Sequence, residues 1–238
     1  MENLKGKNVI VAGATGGIGS ATVKLLVGSG ATVFLTGRNS EKLNAIAATN
    51  NIPTERVFET ELSDETKMQL MADSIHTMIP QLDILINAAG IGILKPLESL
   101  TSADFLKTMN SNLVAVFLLV KAFLPKMKEA KKGLIINIPG VLGKVPMAGA
   151  AAYCASKYGL LGMMQSIREE IKRTDIRITN IFMGGVDSSF WDTIDLRVQR
   201  EKMIQAEEAA RAIWFLCQQP ASGVISEMVL QPFNHQAI

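Results

Sequence analysis

The sequence is poor in the residues that form metal and disulfide sites. Among its 238 residues are two cysteines, Cys154 and Cys217, and two histidines. These side chains cannot form a disulfide framework or a four-ligand zinc site, so we expect no metal. Charged residues make up 19% of the chain and hydrophobic residues 48%. Because so little of the chain is charged and so much is apolar, disorder is excluded and a well-buried core is expected.

The chain also lacks a strong excess of charge of one sign. It has 24 Lys and Arg against 22 Asp and Glu, a net charge of +2, without the basic stripe that attracts nucleic acid or an anionic membrane. The longest uncharged apolar run, residues 113–120, is far shorter than the ~18 residues of a membrane span. The first residues show no apolar core of a secretion signal. We therefore expect no nucleic-acid or membrane partner and a cytoplasmic location.

What the chain does contain is an alternation of short β-rich runs and longer helical patterns. The predicted strands are residues 8–12, 32–36, 56–60, 84–87, 134–138, 176–182 and 228–230, and the predicted helices are residues 18–27, 41–48, 65–78, 103–128, 153–173 and 207–218. Ser63 and Ser102 are predicted N-caps of the third and fourth helices. Strands separated by helices predict right-handed crossovers. We expect one doubly wound α/β domain of the Rossmann type over residues 1–238, with a seven-stranded parallel sheet and helices on both faces.

A glycine-rich turn follows the first predicted strand and leads into a helix. Residues 13–19 read Gly-Ala-Thr-Gly-Gly-Ile-Gly. Backbone N–H groups at such a turn converge on a phosphate, and the helix dipole favours negative charge there. Gly13 allows the tight turn, whereas Gly17 and Gly19 allow close approach of a cofactor and of the helix to the sheet. Because a predicted strand precedes the turn and a predicted helix follows it, residues 13–19 are better interpreted as a dinucleotide-binding site than as an ordinary glycine turn.

The end of the second predicted strand indicates which dinucleotide is bound. A carboxylate there would accept a hydrogen bond from the ribose 2′-hydroxyl of NAD, whereas an arginine accommodates the 2′-phosphate of NADP. Residues 34–40 contain no carboxylate but do contain Arg38, whose guanidinium can hold a phosphate through two hydrogen bonds. NADP, as NADPH, is therefore favoured over NAD. The alternative is that Arg38 is a solvated turn residue.

Tyr153 and Lys157 lie four residues apart at the start of a predicted helix and share one of its faces. A phenol with a pKa near 10 is a poor proton shuttle at neutral pH unless a nearby cation stabilises its phenolate. Lys157 can be that cation. Taken alone, the pair is better interpreted as covering a helix surface. The glycine turn upstream makes the catalytic interpretation the stronger one.

Over essentially its whole length the chain resembles the short-chain dehydrogenase/reductase family. The matching motifs are the glycine turn, NAAG at 87–90, Asn112 in NSNLVAVF, YCASK at 153–157 and MGGVDS at 183–188. The resemblance implies an NADP-dependent oxidoreductase that reduces a ketone or aldehyde to an alcohol. It implies Tyr153 as the general acid, Lys157 as the cation that lowers its pKa and holds the nicotinamide ribose, and Asn112 as the residue that orders a relay water.

The resemblance also implies which residues contact the two ligands. Those for the cofactor are Gly13, Thr15, Gly16, Gly17, Ile18, Gly19, Arg38, Glu61, Leu62, Asn87, Ala88, Gly90, Tyr153, Lys157, Gly184, Val186 and Ser188. Those for the substrate, a small carbonyl compound or alcohol, are Gly140, Met183, Phe190 and Trp191. The last two lie in what we term the lid segment, about residues 188–205.

The chain departs from the family pattern at the catalytic serine. Thirteen residues before Tyr153, where the family has that serine, this chain has Gly140, and Met183 replaces a family proline. Without the serine hydroxyl, turnover is expected to be slow unless a water or another hydroxyl, such as that of Ser188, takes its place, and Gly140→Ser is expected to raise it. The alternative function is a catalytically weakened NADP-binding protein that acts as a dinucleotide-responsive interaction module. Retention of Asn112, Tyr153 and Lys157 favours the enzyme.

Two long predicted helices carry more apolar residues than one buried face requires. With the family resemblance, which implies a homodimer or homotetramer, they predict a two-fold homo-oligomer. The apolar residues are Val114, Val116, Phe117, Leu118, Leu160, Leu161, Met163 and Met164.

Overall fold

A central parallel sheet organises the computed structural model, which describes residues 2–220 and 222–238. The strands are β1 (Asn8–Ala12), β2 (Thr32–Gly37), β3 (Val57–Glu59), β4 (Ile84–Asn87), β5 (Lys132–Asn137), β6 (Asp175–Met183), β7 (Val186–Asp187), β8 (Ile204–Gln205) and β9 (Glu227–Leu230). The helices are α1 (Gly17–Gly28), α2 (Ser40–Thr49), α3 (Glu65–Met78), α4 (Ser102–Met109), α5 (Ala115–Ala130), α6 (Ala151–Ile171) and α7 (Ala206–Cys217).

The strand order creates a crevice at one edge of the sheet. Seven strands pair in the order β3-β2-β1-β4-β5-β6-β9, and every pairing is parallel. The chain runs outward from β1 in one direction and then returns to add β4 on its other side. In a sheet of this kind, ligands bind at the carboxyl ends of the strands where the order reverses. The predicted doubly wound fold is confirmed, and β7 and β8 form a small separate sheet.

Alternating apolar residues on each strand form a core on both faces of the sheet. Along β1, Ile10 packs with residues of α3, α5 and α6, whereas Val9 and Val11 pack with residues of α1, α2 and α7. Burial on both faces explains why the strand sequences are almost continuously apolar. The two layers of helices hold the carboxyl ends of β1, β4 and β5 in a fixed relation, which is what places the site.

The predicted helix 103–128 is interrupted in the structure. α4 and α5 are joined by a π-helical turn, Asn110–Val114. The predicted N-caps were each one residue early or late. Asp64 caps α3 by accepting a hydrogen bond from Lys67 N at 3.1 Å. Thr101 caps α4 and forms a capping box with Asp104. In both places two adjacent side chains could act as the cap, and the pattern alone does not distinguish them.

The helical stretch Ser102–Ala130 is long and apolar enough, by length and composition alone, to cross a membrane. Its most apolar window is 50% buried within the fold. There α5 packs against α3 and β5. Packing in the core therefore accounts for the apolar composition of this stretch.

Candidate functional site

A cleft of about 230 Å³ lies at the crevice where the strand order reverses. Eight of the predicted cofactor residues line it: Gly13, Thr15, Gly16, Arg38, Glu61, Leu62, Ala88 and Gly90. The cleft also has lining residues that the sequence interpretation missed, namely Gly37, Lys42, Thr60, Ala89, Ile91, Ser111, Ala115 and Ser189. Lys42 could have been found, because it lies four residues after Arg38 in the first turn of a predicted helix.

The glycine turn forms the floor of this cleft and leaves no room for side chains. Gly13 has φ +79, and a Cβ atom there would lie 2.6 Å from Ala89 N. A Cβ atom at Gly17 would lie 2.7 Å from Ser188 Cβ. At the N-cap of α1, Gly16 carries no capping side chain, so the first N–H groups of the helix are available to a ligand. The turn therefore fits the phosphates of a dinucleotide.

Charged side chains lie at the far end of the cleft, beyond β2 and β3. Arg38 Nη1 lies 3.9 Å from Glu61 Oε2, with 55% and 40% of these side chains exposed. Glu61 Oε1 accepts a hydrogen bond from Ser63 Oγ at 3.0 Å. Lys42 lies on the same wall. Two cations and one carboxylate leave this end of the cleft with a positive charge, which suits a phosphate.

Tyr153 and Lys157 lie together on the first turns of α6, as their spacing predicts. Lys157 Nζ lies 5.5 Å from the centre of the Tyr153 ring and donates a hydrogen bond to Ile138 O at 3.0 Å. Lys157 is only 4% exposed, and this burial lowers its pKa to about 8. Burial likewise raises the pKa of Tyr153 well above its ordinary value. Desolvation is therefore the main influence on the Tyr153 phenol in this conformation, and the lowering of its pKa by Lys157 stays a prediction.

The π-helical turn positions Asn112, which is fully buried. Its Oδ1 accepts a hydrogen bond from Ile91 N at 2.8 Å. Its Nδ2 donates to Ile91 O at 3.0 Å and to Ser156 Oγ at 3.1 Å. A Cβ atom at Gly90 would lie 3.2 Å from Asn112 Oδ1 and 3.5 Å from Lys157 Nζ. Asn112 therefore joins the segment after β4 to α6 and lies close to Lys157.

Phe190 covers the tyrosine in this structure. The two rings meet edge to face with 6.0 Å between their centres. A Cβ atom at Gly92 would collide with Phe190, so the loop after β4 also touches this ring. The Trp191 indole N–H donates to Val186 O at 2.9 Å. In this conformation the lid segment is therefore closed over Tyr153 through Phe190, and contact of Phe190 with a substrate stays a prediction.

Gly140, which follows β5, lies beside Met183 at the end of β6. Its backbone has φ 70 and ψ 170, a conformation almost confined to glycine. A Cβ atom there would lie 3.4 Å from Met183 O. A serine at Gly140 would therefore strain the backbone or move it, an effect that the sequence does not reveal, and the rise in turnover with Gly140→Ser stays a prediction.

The remaining predicted cofactor residues lie around the cleft without lining it. Ile18 and Gly19 belong to the first turn of α1. Asn87 is buried at the end of β4, in register with Asn137 of β5. Gly184, Val186 and Ser188 follow β6, with Ser188 against Gly17 at the start of α1.

Comparison with known proteins assigns the family. The family model described as short chain dehydrogenase matches residues 7–198. The chain belongs to the short-chain dehydrogenase family. A 3-oxoacyl-(acyl-carrier-protein) reductase from Rickettsia felis is 32% identical over 96% of each chain. An uncharacterized oxidoreductase from Staphylococcus saprophyticus is 28% identical over 98% of each chain.

Solved structures agree with this assignment. A metagenomic short-chain oxidoreductase in complex with NADP has a TM-score of 0.83 and 31% identity, and the match covers 98% of this chain and 100% of that one. An alcohol dehydrogenase from Thermococcus sibiricus, complexed with 5-hydroxy-NADP, has a TM-score of 0.87 at 22% identity, a likeness of fold alone. Membership of the short-chain dehydrogenase family confirms the resemblance drawn from the motifs.

Proposed function

We propose that this short-chain dehydrogenase is an NADPH-dependent reductase of ketones or aldehydes. The observation that carries the proposal is the group Asn112, Tyr153 and Lys157, which lies beside the cleft that the glycine turn lines. Asn112 and Lys157 are buried polar side chains, and Tyr153 is half-buried beside Lys157. The NADP-bound relative and the reductase from Rickettsia felis support both the cofactor and the type of reaction.

In this proposal the chain holds the ligands and supplies one proton. The bound cofactor supplies a hydride to the carbonyl carbon. The Tyr153 hydroxyl donates its proton to the carbonyl oxygen, and its raised pKa keeps it protonated at neutral pH. Lys157, with a pKa of about 8, is mainly cationic at pH 7 and stabilises the phenolate that remains. Solvent then returns the proton to Tyr153.

Arg38 and Lys42 support NADP over NAD in this proposal. Both lie on the cleft wall beyond β2, where the 2′-phosphate of a bound dinucleotide belongs. A phosphate there would attract Arg38 away from Glu61, 3.9 Å distant, and Lys42 would add a second positive charge.

The experiment is NADPH oxidation against a panel of ketones, aldehydes and 3-oxoacyl thioesters, with Tyr153→Phe as the matched control. Tyr153→Phe keeps the ring that Phe190 contacts and removes only the hydroxyl. Turnover by the wild type that Tyr153→Phe abolishes supports the reductase. Turnover that survives in Tyr153→Phe contradicts the assigned proton donor.

A second candidate function is a dinucleotide-responsive interaction module. Two observations favour it: the absence of a side chain at Gly140 and the closure of Phe190 over Tyr153. It predicts tight NADPH binding with no Tyr153-dependent turnover of any carbonyl in the panel. Isothermal titration with NADPH, run beside the turnover assay, separates the two functions.

A further inference from the structure

One guanidinium makes three hydrogen bonds at the start of the lid segment. Arg200 Nε donates to Asp187 Oδ1 at 2.6 Å, and Nη1 donates to Asp192 Oδ1 at 2.7 Å. The remaining nitrogen, Nη2, donates to Ser188 O at 2.9 Å. All three nitrogens of one side chain therefore bind the short stretch 187–192. We call these four residues, Asp187, Ser188, Asp192 and Arg200, the guanidinium cluster.

The guanidinium cluster lies between the two halves of the site. On one side Ser188 touches Gly17 at the start of α1, where the glycine turn meets a dinucleotide. On the other side Phe190 meets Tyr153 edge to face. The backbone between Ser188 and Phe190 is a single 3₁₀ turn, Ser189–Thr193, too short to absorb a change at one end alone.

The hydrogen bonds of the guanidinium cluster are strong, yet two of its side chains are partly exposed to water. Charge-assisted hydrogen bonds of this kind are about twice as strong as neutral ones, and the two carboxylates raise the pKa of Arg200. Yet 42% of the Arg200 side chain and 55% of the Asp192 side chain are exposed. Water can therefore replace these contacts when the lid segment moves.

We propose that Arg200 is a positioning residue that binds Asp187, Ser188 and Asp192 into one unit, so that cofactor contact at Ser188 and access of substrate to Tyr153 are coupled. This inference rests on the proposed function, because it treats Tyr153 as the group that substrate must reach. In the closed arrangement Phe190 occupies the approach to Tyr153. A carbonyl substrate must displace that ring, and because the guanidinium ties this stretch to Ser188, the displacement is transmitted to the cofactor contact at Ser188.

Fluorescence of Trp191 tests the unit without any ligand. The chain has two tryptophans, so Trp214→Phe leaves Trp191, next to Phe190, as the only emitter. In that background Arg200→Ala should raise acrylamide quenching of Trp191 severalfold, because the segment opens. Arg211→Ala, an exposed arginine of α7, is the matched control and should leave quenching unchanged. Equal quenching in Arg200→Ala and its parent would overturn the proposal.

Kinetics test the coupling. Arg200→Ala should speed NADPH dissociation and lower kcat by about 10- to 100-fold, since a misplacement of about 1 Å can cost about 100-fold. Arg200→Lys keeps the charge but not the three-pronged geometry and should rescue only partly. Full rescue by lysine would overturn the three-point geometry. Unaltered NADPH dissociation would overturn the coupling.

A second variant covers the case of misfolding, and two readouts do not depend on carbonyl turnover. If Arg200→Ala does not fold, as judged by circular dichroism, Asp192→Ala removes only the most exposed contact and should shift quenching in the same direction by less. No shift in Asp192→Ala would count against the proposal. If the wild type reduces no carbonyl, the proposed function fails, but quenching and NADPH dissociation still decide the role of Arg200.

Discussion

Gly140 adopts a backbone conformation, φ 70 and ψ 170, that costs other residues of the order of 1–3 kcal/mol. We expect Gly140→Ala and Gly140→Ser to lower the free energy of unfolding by about that amount, measured by urea denaturation. Gly162→Ala is the control, because Gly162 is helical and a Cβ atom there meets nothing within 4 Å. That variant should gain up to about 1 kcal/mol.

The same strain decides what Gly140→Ser does to activity. A serine forced into this conformation moves the strand end next to Met183 instead of presenting a hydroxyl to substrate. Turnover should therefore fall or stay low. A Gly140→Ser protein with higher turnover and unchanged stability would show that the strand end adapts without cost.

We predict that Arg38, Lys42 and Glu61 set the preference between NADPH and NADH. Arg38→Ala should weaken NADPH by about 1.5–3 kcal/mol and leave NADH nearly unchanged, because only NADPH carries the 2′-phosphate. Lys42→Ala should act in the same direction. Glu61→Gln should strengthen NADPH binding, since it frees Arg38 from a carboxylate 3.9 Å away. Titration calorimetry with both cofactors measures these changes, with exposed Lys24→Ala as the control. Equal losses for NADPH and NADH in Arg38→Ala would contradict the assignment.

Lys157 makes stability depend on pH in a defined window. Its pKa falls from 10.5 in the unfolded chain to about 8 in the folded protein. Between these values the unfolded state binds more protons, so stability rises with pH. Lys157→Met lacks this dependence. From pH 7 to pH 10 the free energy of unfolding of the wild type should therefore rise by about 2–3 kcal/mol more than that of Lys157→Met.

Parallel urea titrations of the two proteins between pH 7 and pH 10 measure this difference. Tyr153 is present in both proteins, so its own titration at high pH cancels to first order. A difference between the proteins that does not vary with pH would mean that Lys157 is solvated in solution.

Among the elements, the π-helical turn Asn110–Val114 has a clear function in the fold. It turns Asn112 inward to three hydrogen bonds that join the loop after β4 to α6. Asn112→Ala leaves the N–H and C=O of Ile91 without these partners and should cost about 2–4 kcal/mol. Urea denaturation and faster hydrogen exchange at Ile91 check this. Asn110→Ala, at an exposed position of the same turn, should change stability little.

Periodicity and composition predicted the elements that depend on local sequence. The predicted limits 8–12, 65–78 and 84–87 agree with β1, α3 and β4 at both ends. There an apolar run or an amphipathic pattern begins and ends sharply at polar or turn residues. The π-helical turn could not be predicted, because it is stabilised by contacts of Asn112 with Ile91 and Ser156, which are distant in sequence.

In the candidate site, too, some features follow from local sequence and others depend on contacts between distant segments. Motifs in single segments, such as the glycine turn and the pair Tyr153 and Lys157, were predicted from local sequence. The contact of Phe190 with Tyr153 and the bonds of Arg200 depend on how the lid segment folds back on the sheet. No pattern in residues 188–205 carries that information.

For the whole molecule we propose a homo-oligomer, although the folded chain leaves less support for it than the sequence did. Of the eight apolar residues that predicted it, Val116, Leu118, Leu160 and Met164 are at most 6% exposed within one chain. Phe117 at 46% and Tyr158 at 44% remain exposed, on α5 and α6. Sedimentation at micromolar concentration should give a dimer or tetramer, and Phe117→Glu should reduce its mass. A monomer for the parent protein would refute the proposal.

The pairing of β9 with β6 has a consequence for biosynthesis. The ribosome makes β6 before β9, and β9 supplies the partner for Asn180 to Met183. In the interval the growing chain presents an open parallel edge, whose unpaired N–H and C=O groups can accept a strand from another molecule. Nascent chains on neighbouring ribosomes are therefore most exposed to misassembly late in translation. When residues 227–230 pair with β6, the open edge becomes that of β9, which has four residues against the nine of β6.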